Sequence, residues 1–548
     1  MSSTKTEPKR LSTRRIRRRI RKYLKTTPQG EFQVEGVCFA EKHRGRILNA
    51  DKMGLGKSWQ TIAYGAIHPE RRPIIVAGPA GVRYKWQREW LQHAKLRAYI
   101  VDGEMTTHDQ DRKALKKRIE EWKKEGEKGY KLRQMIHDAK KRLRAKWKVN
   151  KRKVKELLSA KIVIVNYDII AGWLPFLVKM AERGDALLVL DECHYLRNKT
   201  AKRTKACRAL SRECEGVIGL SGTPIEGRPA EFFPVLNMIR PDKYDQFWTY
   251  AFKYCAPKKG WGGSWDFSGA ANLDSLHRSL KTVMIRREKK GPKGVLKDLP
   301  GKLPPEVIPV DITNREDYDD AEADFLSWLL RKKGKAAWTS AQRAEALVKL
   351  GQLKKLAALG KLKEAFQWVD DWLEGTDEKL ILFGISTEVL QAFKERYPKA
   401  AIIDGSVSNK PFWTEDKHGK RIQTSKRQQQ VDKFQKDPKT RLVLVQLRAG
   451  GEGIDLVAGS CVFFVELGWT PGGHEQAEDR ADRIGQTRKV SIFYMVGKDT
   501  VEEKVLDLIQ AKDDANAQIL DGRKGGVMKL LDIFERKAKR TSKHRRTA

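Results

Sequence analysis

Short apolar runs punctuate the chain, and they fall into two blocks. RGRILNA, PIIVAGP, AKIVIVNYD, DALLVLDECH and VIGLSGTP lie within about residues 40–220. KLILFGIS, AAIIDGS, RLVLVQLRAGG, CVFFVELGW and VSIFYMVG lie within about 378–498. The runs are continuous rather than alternating, as in parallel strands covered on both faces. Two such blocks interleaved with helical patterns predict an α/β protein with two lobes. Residues 313–375 read as helix, with apolar spacing in ALVKLGQLKKLAALGKLKEAFQWVDDWL, and are expected to bridge the lobes. The predicted organisation is an N-terminal arm 1–27, a first lobe 28–312, a helical linker 313–375, a second lobe 376–525 and a tail 526–548.

Charge changes that picture most. The 548 residues carry 111 Lys and Arg against 70 Asp and Glu, a formal net charge of +41. Solubility needs far less, so the excess favours a polyanionic partner, most simply nucleic acid. The arm and the tail are both basic. Residues 104–160, rich in Lys, Arg and Glu, predict a charged helical insertion in the first lobe, either a solvated hairpin or a DNA-contacting protrusion. No apolar run reaches the length of a membrane span, and the N-terminus lacks an apolar signal core. The six cysteines are scattered without a C-x-x-C pair, so neither a disulfide framework nor a zinc site is expected.

Four stretches carry candidate chemistry. DKMGLGKS, residues 51–58, ends like a phosphate-binding loop, with Asp51 where its first glycine would stand. It lies between a predicted strand and a predicted helix, the context in which backbone N–H groups face phosphates. Lys57 would reach the β and γ phosphates of ATP, and the Ser58 hydroxyl would hold Mg²⁺. The tripeptide GKS alone is common by chance. In LLVLDECH, a buried strand ends in Asp191 and Glu192. Asp191 would hold the Mg²⁺ and Glu192 would act as general base on the attacking water. An isolated Asp-Glu at a strand end suits helix capping equally well; its place downstream of GKS favours the catalytic reading. SGTP, residues 221–224, follows a strand and by physics alone could be only a turn. In HEQAEDRADRIGQ, Gln476, Arg480 and Arg483 are spaced to share one helix face. That face is either a solvated stripe or a source of arginines that neutralise a transferring phosphoryl group. The latter would make ATP hydrolysis depend on lobe closure.

Together these motifs resemble the SNF2 family of helicase-like ATPases, within helicase superfamily 2, over about residues 28–522. DKMGLGKS resembles D-E-M-G-L-G-K-T, DECH resembles the D-E-A-H box, and SGTPIEGRPAEFFPVLNMIRP, LRAGGEGIDL and QAEDRADRIGQ follow in the family's order. VFFVELGWTPGGHEQAEDRADRIGQT is similar to the small fork-remodelling, annealing-helicase branch. The resemblance implies two RecA-like lobes and the cofactors ATP and Mg²⁺. It implies an adenine-side role for Gln33, ATP contacts from Asp51, Lys52, Met53, Gly54, Leu55 and Gly56 as well as Lys57 and Ser58, and further ATP contacts from Gly453 and Asp455. It implies double-stranded or branched DNA as partner, with phosphates held by residues such as Lys85, Trp86, Asn166, Thr223, Arg448 and Trp469. The implied activity is a monomeric DNA-dependent ATPase that translocates on DNA without routine strand separation. A strand-separating helicase of DNA or RNA and an ATPase-silent DNA-binding scaffold are the alternatives. No added nuclease, zinc or chromatin-reading module is read in the chain, so a cytoplasmic, nucleoid-associated setting in a bacterial or viral host is expected, or a nuclear one in a eukaryote. The sequence departs from the family's pattern at Lys52, where Glu is usual, at Ser58 for Thr, at Asp455 for Asn, and around Gly468 and Thr470. Lys52 would add positive charge beside the phosphates.

Overall fold

The computed structural model describes residues 10–103, 108–222, 229–259, 263, 265–267, 269–290, 294–331, 340–415, 421–450, 453–469 and 471–510. In chain order the first lobe contributes strands β1 Arg46–Asn49, β2 Ile74–Gly78, β3 Tyr99–Ile100, β4 Ile162–Asn166, β5 Leu187–Leu190 and β6 Gly216–Leu220. A small ribbon, β7 Lys258–Lys259 with β8 Trp265–Asp266, precedes β9 Met284–Ile285. Seven of these form one sheet in the order β3-β4-β2-β5-β6-β1-β9, with every pairing parallel. The second lobe has β10 Glu306–Val310, β11 Lys379–Gly384, β12 Ala401–Ile403, the ribbon β13 Pro411–Glu415 with β14 Arg421–Ser425, then β15 Leu442–Gln446, β16 Gly459–Phe464 and β17 Ser491–Gly497. Its six-stranded sheet runs β10-β17-β16-β11-β15-β12, again wholly parallel. Central strands such as β5 are buried along their whole length, which is why they read as unbroken apolar runs.

The described ends of the lobes differ from the sequence expectation in three places. The N-terminal arm is not free. Thr13–Tyr23 is a helix, capped by Ser12, whose oxygen accepts from the Arg15 N–H. In TRRIRRRIRKY the two isoleucines are four apart, so Ile16 and Ile20 form one stripe that buries in the first core while the arginines stay outside. Residues 306–310, expected in the first lobe, form the edge strand of the second sheet, where half-exposed alternation is tolerated. The helices expected to bridge the lobes instead cover the second sheet. Tyr318, Phe325, Leu350 and Leu353 pack with Ile381 and Phe383 on one side, and Ala365 and Val369 with Leu380 and Leu382 on the other. Their charged centre is Lys361, fully buried, which donates to Glu502 Oε2 at 2.6 Å and to the carbonyls of Val465 and Met495 at 2.8 Å.

The charged insertion is a pair of helices, His108–Lys124 and Gly129–Ser159, inserted between β3 and β4. Trp147 Nε1 donates to Asp111 at 2.8 Å and joins the two. The tail 526–548 lies outside the described residues, as do residues 223–228 with Thr223, and Thr470. Among the described residues, no helix is long and apolar enough to cross a membrane.

Candidate nucleotide site between the lobes

The loop after β1 is held from behind. Asp51 is fully buried, and its carboxylate meets Arg287 at 2.5 Å and Gln60 Nε2 at 3.1 Å. Arg287 also reaches Gln60 Oε1 and donates to the carbonyl of Phe32. Asp51 therefore braces the loop and its side chain does not face the phosphates. Its carbonyl does face inward, and accepts from Lys57 Nζ at 2.7 Å. Gly56 takes a left-handed φ of 71° and precedes the helix Lys57–Ile67, whose N-terminal N–H groups have no side-chain cap. Uncapped donors and the helix dipole make this terminus a phosphate seat. Burial lowers the pKa of Lys57, with the charges of Glu192, Asp51 and Asp191 opposing that shift.

The carboxylates stand across the same cavity. Asp191 follows β5, and its Oδ2 accepts from Trp86 Nε1 at 2.7 Å. Burial, and then the neighbouring Glu192, push the Asp191 pKa up. Glu192 adopts a left-handed φ of 46°, an uncommon conformation for a residue with a Cβ. That turn leaves its Oε2 buried without a hydrogen-bond partner, 3.4 Å from His194 Nδ1. A buried carboxylate oxygen left open, beside Asp191, Lys57 and Ser58, fits a site that takes water and Mg²⁺.

The second lobe closes the other side. A cavity of about 520 Å³ is lined by Met53, Gly54, Gly56, Lys57, Ser58, Asp191 and Glu192 from the first lobe and by Gly453, Asp455, Arg480 and Arg483 from the second. The approach is close: a Cβ added to Gly54 would lie 3.1 Å from Arg483 Cβ. Arg483 is ion-paired with Asp455 and donates to the Ile454 carbonyl at 3.3 Å, as does Arg480. The single helix face expected for Gln476, Arg480 and Arg483 does not form. The helix ends at Glu478, and the chain tightens into turns because the Arg480 and Ala481 carbonyls accept from Leu456 N–H and Gln486 Nε2. Those turns bring both arginines to the cavity, whereas Gln476, half-buried on the helix, does not line it.

Several other assignments move. Gln33 is buried behind the loop, donating to the Leu55 carbonyl at 3.4 Å and accepting from the Gln29 N–H; Thr26, Thr27 and Gln29 form the cavity wall there. Leu55 is fully buried in the loop and does not line the cavity. Lys85 lines the nucleotide cavity rather than an outer face, and burial lowers its pKa. Trp86 is buried and positions Asp191, so it is unavailable to DNA. Asn166 is buried too; its Oδ1 accepts from the N–H groups of Asp168 and Ile169 and so shapes a turn. Trp469 packs on the second core with the Lys354 ammonium 4.1 Å from its ring centre. Arg287 and Arg286 were not singled out from sequence. Arg286 donates to the carbonyls of Ala50 and Gly222, and the pair directly after the short apolar run VMI was the available signal.

Lys52 does not face the phosphates. Its Nζ meets Glu475 Oε1 at 2.6 Å, joining the phosphate loop to the helix Pro471–Glu478. Burial raises the Glu475 pKa, but the Lys52 charge and hydrogen bond more than offset this, holding it below the usual range. Lys289, on the chain leaving β9, adds Asp479 at 2.7 Å and Asp482 at 3.0 Å. Lys52→Glu sets two carboxylates against each other and is expected to lower the ATPase rate about tenfold, since like charges across an interface cost several kcal/mol. Lys52→Glu with Glu475→Lys should recover most of that loss. A double variant no better than the worse single one means the pair does not couple the lobes.

Two α/β lobes that share one cavity, with a phosphate loop and carboxylates on one side and arginines on the other, define a nucleotide-hydrolysing motor of the helicase type. Residues 32–357 match the family model of the SNF2-related domain, and residues 361–485 match that of the helicase conserved C-terminal domain. The chain belongs to the SNF2-related family and is an ATP-hydrolysing enzyme of helicase superfamily 2. It is 28% identical over 506 residues to the human DNA annealing helicase and endonuclease ZRANB3, covering 90% of this chain and 40% of that protein. It is 29% identical over 492 residues to the SWI/SNF-related matrix-associated actin-dependent regulator of chromatin subfamily A-like protein 1 of Xenopus tropicalis, covering 88% and 44%. The chain thus spans less than half the length of these curated relatives. The Sulfolobus solfataricus SWI2/SNF2 ATPase core in complex with dsDNA covers 91% of this chain and 93% of its own at 18% identity and a TM-score of 0.37, a likeness too loose to carry geometry across.

Proposed function

We propose that this ATPase couples hydrolysis to translocation on double-stranded or branched DNA, acting as a monomer and remodelling DNA or protein–DNA complexes without routine strand separation. The observation that carries the reading is the split site: Arg483 meets Gly54 across the cavity, so the machinery is complete only when the lobes are together. A site that assembles on closure and comes apart on opening ties each turnover to a lobe movement. In this reading Lys57 and the Lys57–Ile67 helix terminus hold the phosphates, Glu192 takes the proton of the attacking water, and Arg480 and Arg483 stabilise the transferring group. Mg²⁺ would be held by Ser58 and Asp191, and would supply charge neutralisation at the phosphate oxygens. We divide the chain into a first lobe that includes the Thr13–Tyr23 helix and runs to about residue 300, and a second lobe that starts at β10.

A DNA partner is supported by the net charge of +41 and by a groove on the lobe boundary lined by Arg83, Lys410, Arg427 and Arg448. ATP hydrolysis is expected to rise on adding duplex DNA, and DNA affinity to fall steeply with salt as phosphate contacts release counterions. A triplex-forming strand should be displaced while a paired strand is not. No stimulation across duplex, forked and gapped DNA overturns the reading, and efficient unwinding of a paired strand turns it into that of a helicase.

A further inference from the structure

Between β12 and the helix Lys426–Lys436 the chain leaves the second sheet as the ribbon β13–β14, which pairs Pro411 with Ser425, Phe412 with Thr424 and Trp413 with Gln423. A two-stranded ribbon is marginal alone in water, so its root must be held. Asn409 Nδ2 donates to the Gly81 carbonyl of the first lobe at 3.0 Å, and Asn409 Oδ1 accepts from Ser425 Oγ at 3.1 Å. Ser425 also caps the following helix, accepting from the Gln428 N–H at 3.1 Å. The Arg427 N–H donates to the Ser408 carbonyl at 3.1 Å. The ribbon thus rises from a fixed point where the two lobes touch.

Beside that root lies a groove of about 590 Å³ with walls from both lobes. Arg83 comes from the first lobe, and Lys410, Arg427 and Arg448 from the second; Asp102, 2.7 Å from Arg83, is the one carboxylate among the lining residues. Directly after Lys410 stand Phe412, 37% exposed, and Trp413, 58% exposed. As strand neighbours they face opposite sides of the ribbon, so burying one does not bury the other. Most of the chain's large aromatic residues are packed in its cores; these two stand in solvent at the mouth of a cationic groove. Four cations against one carboxylate fit a phosphate chain. A flat apolar ring carried beside a phosphate chain is what an unpaired base presents, and aromatic side chains stack on any base.

We propose that the β13–β14 ribbon is a stacking platform for unpaired DNA bases, so that the protein prefers DNA carrying a single-stranded segment, such as a fork or gap, over blunt duplex. The inference rests on the DNA reading given above and adds the substrate class. The groove takes the backbone, and Trp413, with Phe412, takes bases of the strand that has no partner.

The test uses the full chain with Trp413→Ala and Trp413→Phe. The probes are a blunt duplex and a fork of equal duplex length with 2-aminopurine in its unpaired arm. Wild type should quench the 2-aminopurine on binding. Trp413→Ala should abolish the quenching and weaken fork binding about 5- to 150-fold, the range for loss of one stacked base. Trp413→Phe should keep most of both. Blunt-duplex affinity and the ATPase rate it stimulates should stay within about twofold, which also shows that the variant is folded. An unquenched fork with wild type, an equal loss on both DNAs, or unchanged fork binding by Trp413→Ala overturns the proposal; the last would leave the ribbon as a protein-docking face. Base stacking lost with Trp413→Ala but no DNA stimulation of ATP hydrolysis would instead keep the platform and sink the translocase reading.

Discussion

Arg483→Ala is expected to lower the turnover number about 10³-fold or more while ATP affinity stays near that of wild type, as for loss of an arginine finger. The geometry separates this charge from the packing around it. Arg483 Cβ is the atom that meets the phosphate loop opposite Gly54, and alanine keeps it. The lobes can therefore still approach, and only the guanidinium is lost. That group is half-buried at the cavity, where burial lowers its pKa but leaves it charged at any working pH. Its present partner, Asp455, is an exposed carboxylate on the same lobe, so Asp455→Asn should free the arginine and change turnover far less. Arg480 makes a poorer test. It is more deeply buried and its carbonyl accepts from the Leu456 N–H, so its replacement mixes folding with catalysis. Single-turnover hydrolysis with Arg483→Ala is the measurement, and a loss below tenfold removes the finger role.

The ten central strands were legible because a parallel strand covered on both faces has nowhere to place a polar side chain, and its sequence shows it. Edge elements carry no such signature. β9 is two residues long, and β10 alternates because one side is open to water. The candidate site was legible as residue types and order, less so as contacts. Asp51 and Arg287 are 236 positions apart, and Lys52 and Glu475 are 423 apart; no local pattern announces either pair. Lys52 is the clearest case. As a charge beside a phosphate loop it suggests a nucleotide contact, yet its long side chain reaches the other lobe instead. Trp86 shows the converse. An aromatic beside a lysine suggests DNA, but a helix turns it inward, where its one polar atom serves Asp191. The spacing of Gln476, Arg480 and Arg483 is helical, and the helix stops before the two arginines because carbonyls there have partners outside it.

Glu192→Gln should leave ATP bound but slow its hydrolysis about 10²- to 10⁴-fold, the range for a general base. Glutamine keeps the shape of the side chain and removes only its ability to take a proton. The position is demanding: φ is left-handed, and Oε2 is buried with no partner, a cost that a purely structural residue would be expected to avoid. The substitution should not loosen the nucleotide. Glu192 is one of the causes that raise the Asp191 pKa, so removing its charge favours ionised Asp191 and strengthens its hold on a cation. Lys57 loses one attractive partner but keeps Asp51 and Asp191. Affinity for a fluorescent ATP analogue should therefore be equal to or tighter than that of wild type, and the variant should hold ATP on DNA. If affinity and turnover fall together, Glu192 shapes the cavity rather than taking the proton. If turnover stays within tenfold of wild type, the base lies elsewhere, and His194, 3.4 Å away, becomes the residue to replace next.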